Sequence, residues 1–285
     1  MGGVELIHAH TLFTDGWIAQ ALGKKTNTPY MVTLRYSDIE AIWRYMPHLR
    51  GKARSILRGA KKVVFLSPAA RDKVLGTWLS GRDRELIEKK SAVIPNGIDP
   101  AWLDGAGKAL SGDTVRVGFA GLLNERKRPL DALAAAHAAS KMQSGARFTL
   151  TVCGDGPLKD KLVSALEPGD SYLGKISGMD AMKAFYAQCD VLLVPSTAET
   201  FGMVYLEAMS QGVPVLYTRG QGFDGQFPEG EAGYSVAAGD VEEMAKRLAD
   251  CAKDYEARSA RCIALAKEYA WPLIAQRWME VYRGA

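Results

Sequence analysis

Pro195-Ser-Thr-Ala-Glu199-Thr-Phe-Gly202-Met-Val-Tyr-Leu-Glu207-Ala-Met-Ser-Gln-Gly212-Val-Pro-Val215 is the stretch on which the fold turns. The apolar run 191–195 reads as a buried strand that ends in a polar loop. A helix is expected from residue 203 until Gly212 stops it, because glycine takes the left-handed conformation that closes a helix. Residues 213–217 then read as a second strand. Strand, helix and strand at this spacing make a parallel crossover unit. Outward from it the same alternation recurs, with strands expected at 5–10, 30–34, 63–67, 92–94, 115–120 and 148–153. The chain is therefore α/β, built of parallel layers.

At 285 residues the chain is longer than one compact domain usually needs. Residues 95–113 lack periodicity and carry turn chemistry, Pro-Asn-Gly-Ile-Asp-Pro and then Asp104-Gly-Ala-Gly, so the division is expected there. Domains are expected at 1–108 and 109–266. A helix in 267–285, with Trp271, Ile274, Trp278 and Val281 at helical spacing, is expected to pack back toward the first. Apolar residues make up 47% and charged residues 24%, which excludes a disordered chain. A net charge of +4 is too small for a nucleic-acid-binding protein. Cys153, Cys189, Cys251 and Cys262 show no Cys-x-x-Cys pairing, which points to a reducing compartment. No apolar run approaches the roughly 18 to 20 residues of a spanning helix, and the opening Met-Gly-Gly-Val-Glu has no signal-peptide anatomy. A cytoplasmic protein is expected.

The chemistry concentrates where the fold was read. Gly202 and the first backbone N–H groups of the following helix make an anion site at the C-terminal edge of the sheet. Glu199 precedes that site and Glu207 lies one turn inside the helix, so two carboxylates flank it. Two acceptors around a phosphate suit a hydroxyl-rich ligand with a diphosphate in its middle, and a nucleotide-sugar is such a ligand.

Glu, seven residues and Glu, with Phe-Gly between, resembles the signature of the retaining glycosyltransferases of family 4. Three further segments share the resemblance: Ile94-Pro-Asn-Gly-Ile-Asp99 with the family's interdomain hinge, Gly118-Phe-Ala-Gly121-Leu-Leu-Asn-Glu-Arg126-Lys127-Arg128 with its phosphate-binding loop, and Val152-Cys-Gly154-Asp-Gly156-Pro with its strand-end glycine turn. It implies the GT-B fold, two Rossmann-like parallel-sheet domains. Only four strands precede the hinge, so the first domain is expected to be incomplete and to pair with a second copy through its sheet edge.

The resemblance also implies roles. Glu199 approaches the donor-sugar hydroxyls, Glu207 binds the ribose, and the backbone donors of Gly202, Met203 and Val204 hold the distal phosphate. Lys127 neutralises the leaving diphosphate beside Gly121. An arginine usual in the family is replaced by Leu122, so either Arg126 or Arg128 supplies the second cation or the diphosphate has one clamp fewer. His10 faces the donor sugar from the first domain, and strand alternation puts His8 on the same side. Arg35, where a histidine is usual, and Asp38 become acceptor-side candidates. Asp224 and Gln226 in the loop 220–228 are donor-side candidates. Residues 44–62 hold seven Lys or Arg and no acid, a pattern for peripheral contact with an anionic membrane or for an anionic acceptor. The activity implied is sugar transfer, with retention, from a nucleotide-diphosphate-sugar to a glycan or lipid-linked acceptor. No metal or other cofactor is expected. The alternatives are a nucleotide-sugar-binding module without transfer activity and a hydrolysing epimerase.

Overall fold

The computed structural model describes residues 3–142 and 146–284, so the ends of the expected segments 1–108 and 267–285 lie partly outside the described residues. The chain divides into two compact units. The first comprises Met1–Asn96, Glu199–Phe201 and Pro272–Ala285, and the second Gly97–Ala198 and Gly202–Trp271.

The first unit runs β1 (Ile7–Ala9), α1 (Asp15–Thr26), β2 (Tyr30–Thr33), α2 (Trp43–Tyr45), α3 (Arg50–Gly59), β3 (Lys62–Phe65), α4 (Pro68–Thr77), α5 (Gly81–Lys89) and β4 (Ser91–Val93). The four strands lie in that order in one parallel sheet, with Ile7 opposite Tyr30, Val32 opposite Val63 and Val63 opposite Ser91. Alternation along β2 and β3 supplies two cores. Val32, Val63 and Phe65 face a layer that includes Leu12, Ile56 and Leu57. Met31 and Val64 face the other way and meet Ile94 and Ile274. Ile274 belongs to α12 (Trp271–Arg283), whose Trp278, Val281 and Tyr282 complete that second layer. Fully burying Ile274 stabilises by about 1.5–3 kcal/mol. Trp271 is 46% exposed and does not share the buried stripe expected of it.

The basic segment 44–62 is largely the helix α3, which buries Ala53, Ile56 and Leu57. Arg50 and Arg54 lie over the Trp43 ring, Lys52 donates to Gln20 Oε1 at 2.8 Å, and Arg58 forms a two-pronged pair with Asp83. Arg44 lies over the Tyr45 ring, so five of its seven cations have partners within the unit.

The second unit contains β5 (Thr114–Ala120), α6 (Pro129–Ser140), β6 (Arg147–Cys153), α7 (Lys159–Val163), β7 (Ser171–Tyr172), α8 (Met179–Ala187), β8 (Val191–Val194), α9 (Met203–Ser210), β9 (Val215–Thr218), β10 (Gly233–Val236), α10 (Val241–Ala252) and α11 (Tyr255–Lys267). Its parallel sheet has the order β10-β9-β8-β5-β6-β7. The chain steps outward from β5 through β6 to β7, then crosses back to β8 on the other side of β5. That reversal is a topological switch point, where crossover helices diverge and leave a crevice at the strand C-termini. Strands β8, Val-Leu-Leu-Val, and β9, Val-Leu-Tyr-Thr, are buried along their whole length, as central strands of a parallel sheet covered on both faces are. Strands β7 and β10 were not read from the sequence: β7 has only two residues between glycines, and β10 is an edge strand that opens on Gly233. All four cysteines are free and buried in this unit.

Candidate functional site

At the C-terminal end of β5 the chain leaves Ala120 through Gly121, and at the end of β6 it leaves Cys153 through Gly154-Asp155-Gly156. The two turns interlock by backbone alone. Gly121 N donates to Cys153 O at 3.0 Å, Leu123 N to Asp155 O at 2.9 Å and Leu158 N to Leu123 O at 2.9 Å. Gly154 has φ +150°, and a Cβ there would sit 1.8 Å from Gly121 O. The close approach admits only glycine.

Beside these turns, within the second unit, lies a cavity of about 610 Å3. That is an ordinary size for a small-molecule site. Gly121, Gly154, Gly156 and Lys175 line it from the sheet side, and Val204 and Glu207 line it from α9. Leu122, Cys153, Ile176 and Met182 add apolar wall. Burial pushes the Cys153 thiol up.

The helix α9 begins at Gly202, which caps it in the left-handed conformation with φ +83°. Its first N–H groups, Met203 and Val204, have no carbonyl one turn back to bond, so they and the helix dipole offer an anion site. One turn further, Glu207 Oε2 accepts a hydrogen bond of 3.0 Å from the Tyr186 hydroxyl on α8. Burial raises the proton affinity of this carboxyl, and the tyrosine hydrogen bond opposes that rise.

Lys127 N donates to Asn124 Oδ1 at 2.9 Å, which fixes the turn, and the lysine stem lies next to Gly121: a Cβ on that glycine would be 3.9 Å from Lys127 Cδ. Arg126 is exposed, and its carbonyl accepts Thr197 N at 2.8 Å. Arg128 takes φ +54° and pairs with Asp131 at 2.5 Å. Leu122, standing where the resemblance led one to expect arginine, is 52% exposed on the cavity wall. The second unit thus gathers Gly121, Lys127, Gly202, Met203, Val204 and Glu207 around or beside one cavity. Tyr186, Lys175 and Met182 were not singled out from the sequence. Met182 and Tyr186 lie four residues apart on α8, and that helical spacing is the signal that was available.

His10 and the segment Glu199–Phe201 belong to the first unit. His10 is exposed just beyond β1, which ends at Ala9 rather than at residue 10. Its ring centroid lies 4.1 Å from that of His8, so the two do share a side. His8 is the more engaged: Nδ1 is 2.8 Å from Tyr282 Oη and Nε2 is 2.8 Å from Thr33 Oγ1. Burial, with smaller effects from His10 and Arg35, lowers its pKa from 6.5 to about 4. Asp38 is turned inward instead of facing an acceptor. Its Oδ1 accepts Phe13 N at 3.2 Å and its Oδ2 accepts Arg35 N at 2.8 Å, and burial raises its proton affinity. In the second unit Asp224 and Gln226 likewise have partners within the protein: Asp224 accepts Gly220 N of its own loop at 2.7 Å, and Gln226 Oε1 accepts the Tyr269 hydroxyl at 3.1 Å.

A four-stranded and a six-stranded parallel sheet, each in its own α/β unit, define the architecture of the GT-B glycosyltransferases. Residues 2–102 match the family described as Glycosyltransferase Family 4 and residues 114–254 match Glycosyl transferases group 1; the chain belongs to the GT-B glycosyltransferases. Over 109 residues, 37% of this chain, it is 38% identical to the sulfoquinovosyl transferase SQD2 of Arabidopsis thaliana, but it spans only 21% of that relative. Over 310 aligned positions it is 26% identical to the D-inositol 3-phosphate glycosyltransferase of Paenarthrobacter aurescens, covering 100% of this chain and 74% of the relative. Among solved structures, Anabaena Alr3699/HepE in complex with UDP superposes with a TM-score of 0.77 at 21% identity, over 99% of this chain and 79% of that one. No helix among the described residues is long and apolar enough to cross a membrane.

Proposed function

We propose that this chain is a retaining hexosyltransferase that moves a sugar from a nucleotide-diphosphate-sugar to a glycan or lipid-linked acceptor. The observation that carries the reading is the convergence, on one cavity at the switch point of the second sheet, of glycine turns, a helix N-terminus and a half-buried carboxylate. Similar solved structures contain UDP or UDP-glucose, and relatives are named as sugar transferases, which supports the same ligand class. In this reading the diphosphate meets the N–H groups of Gly202, Met203 and Val204, the ribose diol meets Glu207, and Lys127 next to Gly121 offsets the charge that grows on the leaving group. Arg126 is the candidate second cation. Glu199, for the donor-sugar hydroxyls, and His10, for the developing positive charge, hold roles proposed from the sequence pattern alone. With no nucleophile assigned, the leaving phosphate serves as base toward the acceptor hydroxyl on the same face, and no metal takes part.

A thermal-shift panel of nucleotide-sugars tests the donor site, because a ligand that binds only the folded state raises the melting temperature. Turnover of the best donor is then compared in wild type and Lys127→Ala. The expected loss is about a hundredfold in kcat with little change in donor affinity. Loss confined to KM overturns the leaving-group role. Donor binding without turnover by wild type favours a binding module.

A further inference from the structure

Glu207 makes one side-chain hydrogen bond to a described residue, from the Tyr186 hydroxyl to Oε2. The donor is built in. Tyr186 has no exposed surface, packs edge-on to Phe185 at 5.3 Å and to Trp102 at 6.1 Å, and its carbonyl accepts Lys108 Nζ at 3.1 Å. Lys108 is tied in turn through its backbone N to Ser259 Oγ at 2.9 Å. The tyrosine ring is therefore held from several sides with its hydroxyl aimed at one carboxylate oxygen. Glu207 itself lines the cavity.

We infer that Tyr186 is a positioning residue, whose buried hydroxyl fixes Glu207 by Oε2 so that Oε1 is presented to the ribose diol of the donor nucleotide. The inference rests on the donor-site reading above. A carboxylate on a helix rotates about three bonds, and a diol needs its acceptor in one place; a tether to one oxygen removes that freedom before the ligand arrives. The tether also favours the charged form of the carboxylate. Burial favours the neutral acid, which would present a proton where the diol needs a lone pair, and a hydrogen bond donated to the charged form opposes this. Tyr186 stays protonated across the neutral range, because burial and the nearby Glu207 hold its phenol well above the usual value. Lys175, Asp155 and Cys153 also line the cavity, and none of them is hydrogen-bonded to Glu207.

The test is calorimetric titration of uridine, guanosine and adenosine diphosphates into wild type and Tyr186→Phe between pH 5 and 8, with Tyr186→Met as a second hydroxyl-free variant should the first melt too early. For the nucleotide that binds wild type, the variant is expected to bind roughly tenfold more weakly at neutral pH. Its acid-side loss of affinity is expected to begin at higher pH, because Glu207 takes up a proton sooner without the tether. Protonation of the nucleotide is common to both proteins and cancels in the comparison. A loss of affinity equal at every pH marks a merely structural role and overturns the inference while leaving the donor site standing. If wild type binds none of the three diphosphates, the donor-site reading falls and the inference falls with it.

Discussion

Both units end two neighbouring strands in loops that must be tied together, and they do it by different means. In the second unit the turns after β5 and β6 are joined by backbone hydrogen bonds across Gly121, Gly154 and Gly156. In the first, the loops after β1 and β2 are joined by a side chain: the Asp38 carboxylate takes the N–H of Phe13 with one oxygen and that of Arg35 with the other. Glycine ties leave the strand ends bare, so the space above them becomes a cavity walled by backbone. A side-chain tie fills that space, and His8, locked between Thr33 and Tyr282, fills more of it. The same parallel sheet grammar therefore produces a ligand-sized hollow in one unit and a packed polar cluster in the other. The difference lies in which residues follow the strands.

The comparison breaks most sharply at Gly154. A Cβ 1.8 Å from Gly121 O, at a backbone conformation that disfavours side chains, means Gly154→Ala should cost the second unit about 3 kcal/mol. Thermal melts with and without the best nucleotide read this; an unshifted melt shows that the turn relaxes freely. Glu207→Ala should weaken nucleoside-diphosphate binding by about 1.5–3 kcal/mol, while Glu199→Ala should leave the diphosphate nearly untouched and alter preference among sugars. Equal losses in calorimetry would sink that division. The smallest effect concerns the first unit. The folded state holds the His8 pKa near 4 against an ordinary 6.5, so the unfolded chain takes up the proton first. Stability from this source is full above about pH 6.5 and is lost as pH falls through 4. For a half-buried group it amounts to about 1 kcal/mol after screening. A His8→Gln variant should flatten the pH dependence of the first unit's melting, and an unchanged slope would show that other groups set it.

Much of the second unit was legible because its information is local. The Val/Leu run of β8, the apolar start of β9, the stop at Gly212 and the carboxylates eight residues apart are read from adjacent letters, and the helix α9 falls where they put it. The switch point was not legible, since nothing in 171–172 or 233–236 announces an edge strand. Tyr186 escaped for a related reason: it sits in an apolar helical stripe, and its partner is 21 residues away on another helix. Asp38 misled in the opposite direction. Near an expected strand end a carboxylate invites a ligand role, and only the fold shows that two backbone N–H groups already claim it.

The placement of sulfur has a practical consequence. Burial pushes the Cys189 and Cys251 thiols up to about 12 and raises Cys262 as well, so almost none of these side chains is thiolate at neutral pH and alkylation or oxidation there is slow. Cys153 shares the raised proton affinity but stands on the cavity wall, at the C-terminal end of β6. A maleimide that reaches it must occupy the floor on which a ligand would rest. Covalent modification at this one sulfur and occupancy of the cavity therefore exclude each other, and the chain carries its own chemical reporter of whether the hollow is filled.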